Sequence, residues 1–222
     1  MENFTTLTFF HFDTHKFWAF KQMGKNIMGI RSVPGLTFFK LMGTGAGAGF
    51  SLFPDFSTYA FLGVWESEMA AEEFFNRHSF FLAYKKRVIS YRTLKLKPVH
   101  SHGKWSGVTP FGQPTPTSLK GKVVVVTRAT LRWQRLIPFW MAVPKASAAI
   151  EQASGVYFFK GIGEWPFIQQ ATVSIWESLE AVSAFAYKGK AHAEIVKKTR
   201  KQNWYKEDLF SRFELLDDVF YG

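Results

Sequence analysis

The chain repeats itself, and this internal repeat constrains the fold more than any other feature. Residues 35–43, GLTFFKLMG, return as residues 155–163, GVYFFKGIG, and residues 64–67, VWES, return as residues 175–178, IWES. Further matches follow in the same order: Phe17-Trp18 with Phe139-Trp140, and Arg92 with Arg212. Because the order is kept along the whole chain, the sequence predicts two copies of one structural unit that bury their open faces together.

Each copy has the pattern strand, helix, strand, strand, helix, strand. Apolar, β-branched runs indicate the strands, and the spacing of Phe17, Phe20 and Ile27 indicates the first helix. Ser67 is a natural N-cap for the second helix. The predicted elements of the first copy are residues 5–12, 14–31, 36–41, 59–65, 68–87 and 89–96. Those of the second copy are residues 122–130, 138–152, 156–162, 170–176, 178–201 and 209–215.

This order defines the fold class as α+β, with two tandem ferredoxin-like βαββαβ repeats. Such a unit carries helices on one face of its sheet, so we expect the two sheets to cover each other as a barrel with the helices outside. Residues 123–126, VVVV, are apolar on both faces, as expected for a sheet buried on both sides. We expect an N-terminal repeat at residues 1–100, a linker rich in Pro, Gly, Ser and Thr at 101–121, and a C-terminal repeat at 122–222.

Composition excludes several chemistries. The chain has no cysteine, which rules out disulfides, Cys-ligated zinc, iron–sulfur clusters and thiolate-ligated haem. Its 28 basic and 17 acidic residues give a net charge of +11, which suits nucleic acid, an anionic membrane surface or an acidic ligand, and also a plain basic surface. No apolar run reaches the ~20 residues that span a bilayer. The N-terminus lacks a signal-peptide pattern, so we expect a cytoplasmic protein.

Positions where the copies differ are better candidates for a site than repeated ones. His192 lies between two alanines in a predicted helix, and the VWES register matches it to Phe81. Ile195, Val196 and Thr199 share its helix face, which is therefore mostly apolar. A histidine there is either a hydrogen-bonded core residue or a ligand to a buried metal or haem.

Tandem RNA-recognition modules have the same element order, and residues 59–62, YAFL, match part of their aromatic motif. The matching stretch of the second copy, residues 168–173, offers no stacking aromatic side chain. RNA platforms also need open sheet faces, whereas these strands read as buried. We therefore expect no nucleic-acid partner.

Several motifs resemble the spheroidene monooxygenase family of carotenoid oxygenases. They are PG-x-x-F-x-K at 34–40, TRAT at 127–130, FW-x-x-VP at 139–144 and FAY-x-x-x-AHAE at 185–194, followed by Arg200 and Trp204. The resemblance covers nearly the whole chain, including WSG at 105–107. It implies a fold of the dimeric α/β-barrel type that holds haem b on a helical histidine of the C-terminal unit, which here is His192.

The resemblance also implies a reaction, in which a haem-dependent monooxygenase inserts oxygen from O2 into an apolar substrate, here a carotenoid. The alternatives are a haem-dependent enzyme that acts on another small substrate, and a non-enzymatic ligand-binding barrel. The expected partners are the apolar substrate, an external ferredoxin-like electron donor and, through transient peripheral contact, a membrane surface. A homo-oligomer is compatible with this fold.

Four further residues are assigned to the site on this basis. Arg128 shares a strand face with apolar Val124 and Val126, where a cation is costly unless it is paired. We expect Arg128 to polarise bound oxygen as the catalytic residue or to pair with a haem propionate, and the alternative is an ion pair with a carboxylate. Arg132, Arg200 and Trp204 are expected to border the cofactor, and for Arg200 and Trp204 a solvated helix end is the alternative.

Overall fold

Eight antiparallel strands close into a barrel in the computed structural model of the chain. The structure describes residues 3–25, 27–47, 51, 53–112, 114, 119, 121–188, 199 and 201–222, with only the backbone at 187 and 188. The order of strands around the barrel is β1-β3-β2-β6-β7-β5-β8-β4, and β4 pairs with β1 to close it.

The elements of the first half are β1 (Phe4–His11), α1 (Lys16–Lys25), α2 (Ile27–Arg31), β2 (Leu36–Gly45), β3 (Pro54–Trp65), α3 (Glu68–Arg77), α4 (Ser79–Lys85) and β4 (Ser90–Gly103). Those of the second half are β5 (Val123–Leu131), a 3₁₀ turn (Trp133–Arg135), α5 (Leu136–Glu151), β6 (Val156–Trp165), β7 (Gln169–Trp176), α6 (Leu179–Lys188) and β8 (Tyr205–Tyr221). The predicted combination of an antiparallel barrel with helices is confirmed. None of the helices described here is long and apolar enough to cross a membrane.

Several observed elements differ in extent from the predicted ones: β3 begins at Pro54, β4 ends at Gly103, and β8 spans Tyr205–Tyr221. The single helix expected over 68–87 is interrupted at His78, whose extended backbone ends α3 and whose ring Nδ1 accepts a hydrogen bond from the Phe80 N–H at 3.3 Å. The last helix, expected over 178–201, is described only as α6 and at residues 199 and 201; its remainder lies outside the described residues.

The two halves meet along two unequal seams. Strands β4 and β8 pair from Tyr91 with Tyr221 to Gly103 with Leu209, so β4 runs into the segment expected to be linker. Strands β2 and β6 pair at Gly43 with Gly163 and at Thr44 with Ile162, and at no other described residues.

The barrel interior is an apolar core made almost entirely by strands. Alternate strand residues point inward, as the two-residue period of a strand requires. The fully buried interior side chains include Leu7, Leu62, Leu94, Val124, Val173 and Phe213. In the part of the chain that the structure describes, helix residues occur in the clusters on the outer faces of the strands, so these helices pack outside the barrel.

The repeated VWES and IWES motifs have a structural role. The Ser67 hydroxyl accepts the Ala70 N–H at 3.2 Å at the start of α3, a cap worth about 1 kcal/mol. The Glu66 N–H donates to the Gly35 carbonyl at 2.8 Å. Gly35 has a φ of +72°, and a Cβ there would lie 2.6 Å from the Ala70 Cβ, so this turn needs glycine. Gly155 and Glu177 repeat the arrangement in the second half.

Candidate functional site

A cluster of four charged side chains lies inside the barrel near one end. Arg128 on β5 points inward beside Val124 and Val126, and it is 3% exposed. Its Nη1 donates a short hydrogen bond to the Glu207 carboxylate on β8, and its Nη2 lies 3.9 Å from Glu164 Oε1 on β6. The carboxylate ion pair, one of the alternatives that the sequence left open, is therefore present.

Glu207 is held from two sides. Its carboxylate accepts the backbone N–H groups of Ser106 at 2.9 Å and Gly107 at 2.7 Å, in addition to Arg128. Burial on its own raises the pKa of Glu207, but the two N–H groups and the guanidinium outweigh it and bring the pKa below the usual 4.5. Glu207 is therefore ionised at neutral pH.

Glu164 closes the other side of the cluster. It accepts hydrogen bonds from Lys40 Nζ and from Trp105 Nε1, both at 2.5 Å. Lys40 also donates to the Ser106 hydroxyl at 2.8 Å, and the Arg128 guanidinium lies 5.7 Å from the Trp105 ring centre. Two cations and two anions thus form one network that anchors residues 105–107 to strands from both halves.

Arg128 is a point where the internal symmetry fails. The β1–β3 register pairs Phe9 with Ala60, and the β5–β7 register pairs Arg128 with Ala171 at the same place relative to the VWES and IWES motifs. Phe9 is an apolar core residue that contacts Phe158 edge to face. Within the described part of the chain, Nε and Nη2 of Arg128 have no hydrogen-bond partner.

The outer faces of the two sheets also differ. Equivalent cross-strand pairs show this. The pair Phe10–Tyr59 of the first sheet has Ala129–Gln170 as its counterpart in the second. The pair Thr8–Phe61 has Thr127–Thr172. The second sheet therefore lacks three rings that the first one has. Thr8 is fully buried, whereas Thr127 is exposed.

The packing against these faces follows the same difference. One continuous aromatic cluster fills the space between α1–α4 and the first sheet. Among the described residues, two separate clusters pack against the second sheet, one around Trp176 and Val182 and one around Phe139 and Trp204. We call the sheet surface between them, formed by Thr127, Ala129, Gln170 and Thr172, the open face.

The predicted site residues fall at different places relative to the open face. Trp204 is fully buried, its Nε1 donates to Gln202 at 2.8 Å, and its carbonyl accepts the Arg132 N–H at 2.9 Å. The Arg132 side chain is exposed just beyond the end of β5. Arg128 points to the opposite side of the sheet, into the barrel. His192 and Arg200 lie outside the described residues, and the described ranges contain no group of three His, Asp or Glu side chains that could hold a metal.

Sequence reasoning missed Lys40, Trp105, Glu164 and Glu207. Lys40 is matched by Lys160 in the repeat, and a repeated residue indicates a structural role. The sequence nevertheless contains a signal for the two acids. The offset that aligns Lys40 with Lys160 also aligns Glu164 with Thr44 and Glu207 with Arg87, so both acids stand where the copies differ. Applying the test for broken symmetry to strands as well as to helices would have found both acids.

Solved structures with a similar fold are known. No family model matches the chain. Two solved structures of aldoxime dehydratase superimpose with TM-scores of 0.58 and 0.59 at 13% and 10% identity, each over 98% of this chain and over 83% and 81% of theirs. At that identity the likeness concerns the fold alone. The chain thus shares its overall fold, an antiparallel barrel with helices, with those structures.

The curated relatives define the family. The chain is 33% identical over 217 residues to the spheroidene monooxygenase of Cereibacter sphaeroides, covering 96% of this chain and 67% of the relative. It is 30% identical over 218 residues to that of Rhodobacter capsulatus, covering 95% and 89%. The match to that of Rubrivivax gelatinosus is 33% over 181 residues, covering 81% and 69%. The chain belongs to the spheroidene monooxygenase family and is a monooxygenase, which confirms the resemblance seen in the sequence.

Proposed function

We propose that this monooxygenase uses haem b to insert one oxygen atom of O2 into a carotenoid or a similar apolar molecule. The observation that supports haem as the cofactor is the open face. Where the first half fills the space between sheet and helices with aromatic rings, the second half presents Ala129 and Thr172, and its packing is divided. A sheet face without those rings, between two apolar clusters, suits contact with a flat, largely apolar cofactor.

The chemistry of the candidate residues suits a haem. His192 is the residue proposed to bind the haem iron, since a chain without cysteine has no thiolate to offer. Arg132 and Arg200 are proposed to pair with the propionates, and Trp204 to border the ring. When bound, the haem supplies the activation of O2 that attack on an unactivated C–H bond requires, because no side chain can perform that oxidation.

The side chains of the protein would position the cofactor and keep water away from it. The small residues of the open face put no ring against β5 and β7, and the buried clusters on either side would exclude water. Arg132 places a cation at the rim, where an anionic group would keep its contact with solvent. Arg128 acts from inside the barrel, where its ion pairs hold β5 against β8 and anchor residues 105–107.

The proposal extends to the organisation and surroundings of the chain. The matched registers of the two halves support a description as two tandem ferredoxin-like units, residues 1–100 and 122–222, joined by 101–121. An external electron donor of the ferredoxin class would supply the reducing equivalents. Because carotenoids dissolve in lipid, we also propose transient contact with a membrane surface by a protein of the cytoplasm.

A haemin titration followed by absorption spectroscopy tests the cofactor. We expect the purified chain to bind one equivalent with a Soret band, His192→Ala to lose that band, and the matched control His100→Ala on β4 to keep it. Unchanged binding by His192→Ala would contradict the ligand assignment, and no binding by the unmodified chain would contradict haem dependence. Product analysis in a carotenoid-producing host then tests the substrate class.

A further inference from the structure

A large apolar surface covers α5 and the turn between β6 and β7. Its exposed members are Trp133, Ile137, Met141, Trp165 and Phe167, with exposed fractions from 45% to 78%. We call these five residues the docking face. All of them except Trp165 line a shallow surface cavity of about 590 Å³. The other lining residues are Leu136, Trp140, Pro166 and Ile168. Contiguous apolar surface of this kind marks a contact site.

The turn that carries Phe167 is held in a costly conformation. Phe167 has a φ of +68°, in the left-handed region that bulky L residues rarely adopt. Such a residue costs on the order of 1 kcal/mol, which glycine would avoid. Trp140 fixes the turn by donating its Nε1–H to the Phe167 carbonyl at 3.1 Å. The ring of Phe167 is nevertheless 45% exposed, so burial within the chain does little to offset this strain.

The segment that carries most of the docking face is basic. Residues 131–144, which carry Trp133, Ile137 and Met141, include Arg132 and Arg135 and no acidic residue. The acid nearest the turn, Glu164, points into the barrel, where it pairs with Lys40. A second copy of the chain, also at +11, would bring like charges together. An anionic occupant is therefore favoured over self-association.

The first half presents a related surface around Phe17, Phe20 and Met28. Because β2 and β6 are antiparallel neighbours, the β2–β3 turn and the β6–β7 turn lie at opposite ends of that strand pair. The docking face is the one with two exposed tryptophans, the strained Phe167 and a position next to the open face, since Phe139 and Val143 on the inner side of α5 pack with Trp204.

We infer that the docking face binds the surface of an anionic lipid bilayer, with Ile137, Met141 and Phe167 inserted below the headgroups. Tryptophan side chains favour the membrane–water boundary, and arginine or lysine beside them adds attraction to anionic lipid. This inference rests on the proposed function in one respect, namely that a lipid-dissolved substrate gives the contact a purpose. The binding itself requires neither haem nor substrate.

Vesicle co-sedimentation of the full chain, without haem or carotenoid, tests the inference. The vesicles are phosphatidylcholine alone, or phosphatidylcholine mixed with phosphatidylglycerol. We expect binding to the mixed vesicles that weakens with salt, and a loss of roughly tenfold or more in Ile137→Ser/Met141→Ser, because two inserted apolar side chains are removed. The matched control is Ile89→Ser/Met69→Ser, the same residue types at exposed positions elsewhere, which should bind like the unmodified chain.

Further variants keep the inference refutable. Phe167→Gly should weaken binding while leaving the melting temperature unchanged or higher, since it removes both the ring and the strain. Phe20→Ser/Met28→Ser should leave binding unchanged, and a loss there instead would assign docking to the other surface. No vesicle binding, equal loss in the matched control, or dimerisation that depends on Ile137 and Met141 would each overturn the inference. Haemin binding is scored separately, so failure of the docking face and failure of the cofactor proposal are distinguishable.

Discussion

Replacing Arg128 with methionine removes the central cation of the interior network. Methionine keeps much of the apolar stem but leaves Glu207 and Glu164 without their shared partner. Breaking a buried ion pair by removing one member costs about 3–5 kcal/mol. Here Glu207 keeps the two N–H groups of residues 106 and 107, and Glu164 keeps Lys40 and Trp105. The loss should therefore lie near the lower limit, at about 3 kcal/mol.

Urea unfolding followed by far-UV circular dichroism measures this loss. For a chain of this length, 3 kcal/mol corresponds to a melting temperature lower by about 6–12 °C. The control is Arg77→Met, whose side chain is 80% exposed and forms a surface pair with Glu73, and it should change stability by less than about 0.5 kcal/mol. In Arg128→Met/Glu207→Gln the combined loss should be smaller than the sum of the single losses. If Arg128→Met unfolds no more easily than Arg77→Met, the network does not stabilise the barrel and the reasoning fails.

Two further predictions address the open face and the pH dependence. The double variant Ala129→Phe/Thr172→Phe puts phenylalanine where the first half has Phe10 and Phe61. It should lower haemin affinity at least roughly tenfold in a titration while the circular dichroism spectrum is retained. Ala129→Ser is the control, and full haemin affinity in the double variant would place haem elsewhere. Because the pKa of Glu207 is lowered in the folded state, its ionised form stabilises the fold above the usual 4.5, and this contribution is lost as the pH falls through the folded-state pKa. The stability difference between the unmodified chain and Glu207→Gln should therefore shrink below pH 4.5 in urea titrations, and a constant difference would show that Glu207 is not the group responsible.

The repeat made the barrel predictable, because each matched motif is a local feature that recurs in order. Gly35 with Glu66 and Gly155 with Glu177 show why, since each pair joins its own strands and helix within one half. The lengths of β4 and β8 were not predictable in the same way. Their pairing joins the two halves, and nothing in residues 97–103 indicates a partner in β8.

The candidate site was only partly predictable for a related reason. An inward arginine on an apolar strand face could be read from Val124, Val126 and Arg128, and so could its need for a partner. Which carboxylate would serve depends on the order of strands around the barrel, which brings Glu207 on β8 and Glu164 on β6 to the same end. The open face became visible only when the registers of the two sheets were compared, because its residues are ordinary strand residues taken singly.

The unequal seams give the barrel a preferred line of opening. Along β4 and β8 many consecutive backbone pairs must break together, whereas the described backbone pairing between β2 and β6 is limited to Gly43 and Thr44, beside the Lys40–Glu164 ion pair. Sub-global opening proceeds where the fewest hydrogen bonds are lost, so backbone amides at the β2–β6 seam should exchange with solvent sooner than those of β4. The β4–β8 pairing would then act as the hinge, and the two halves would stay joined while the interior became accessible from one side.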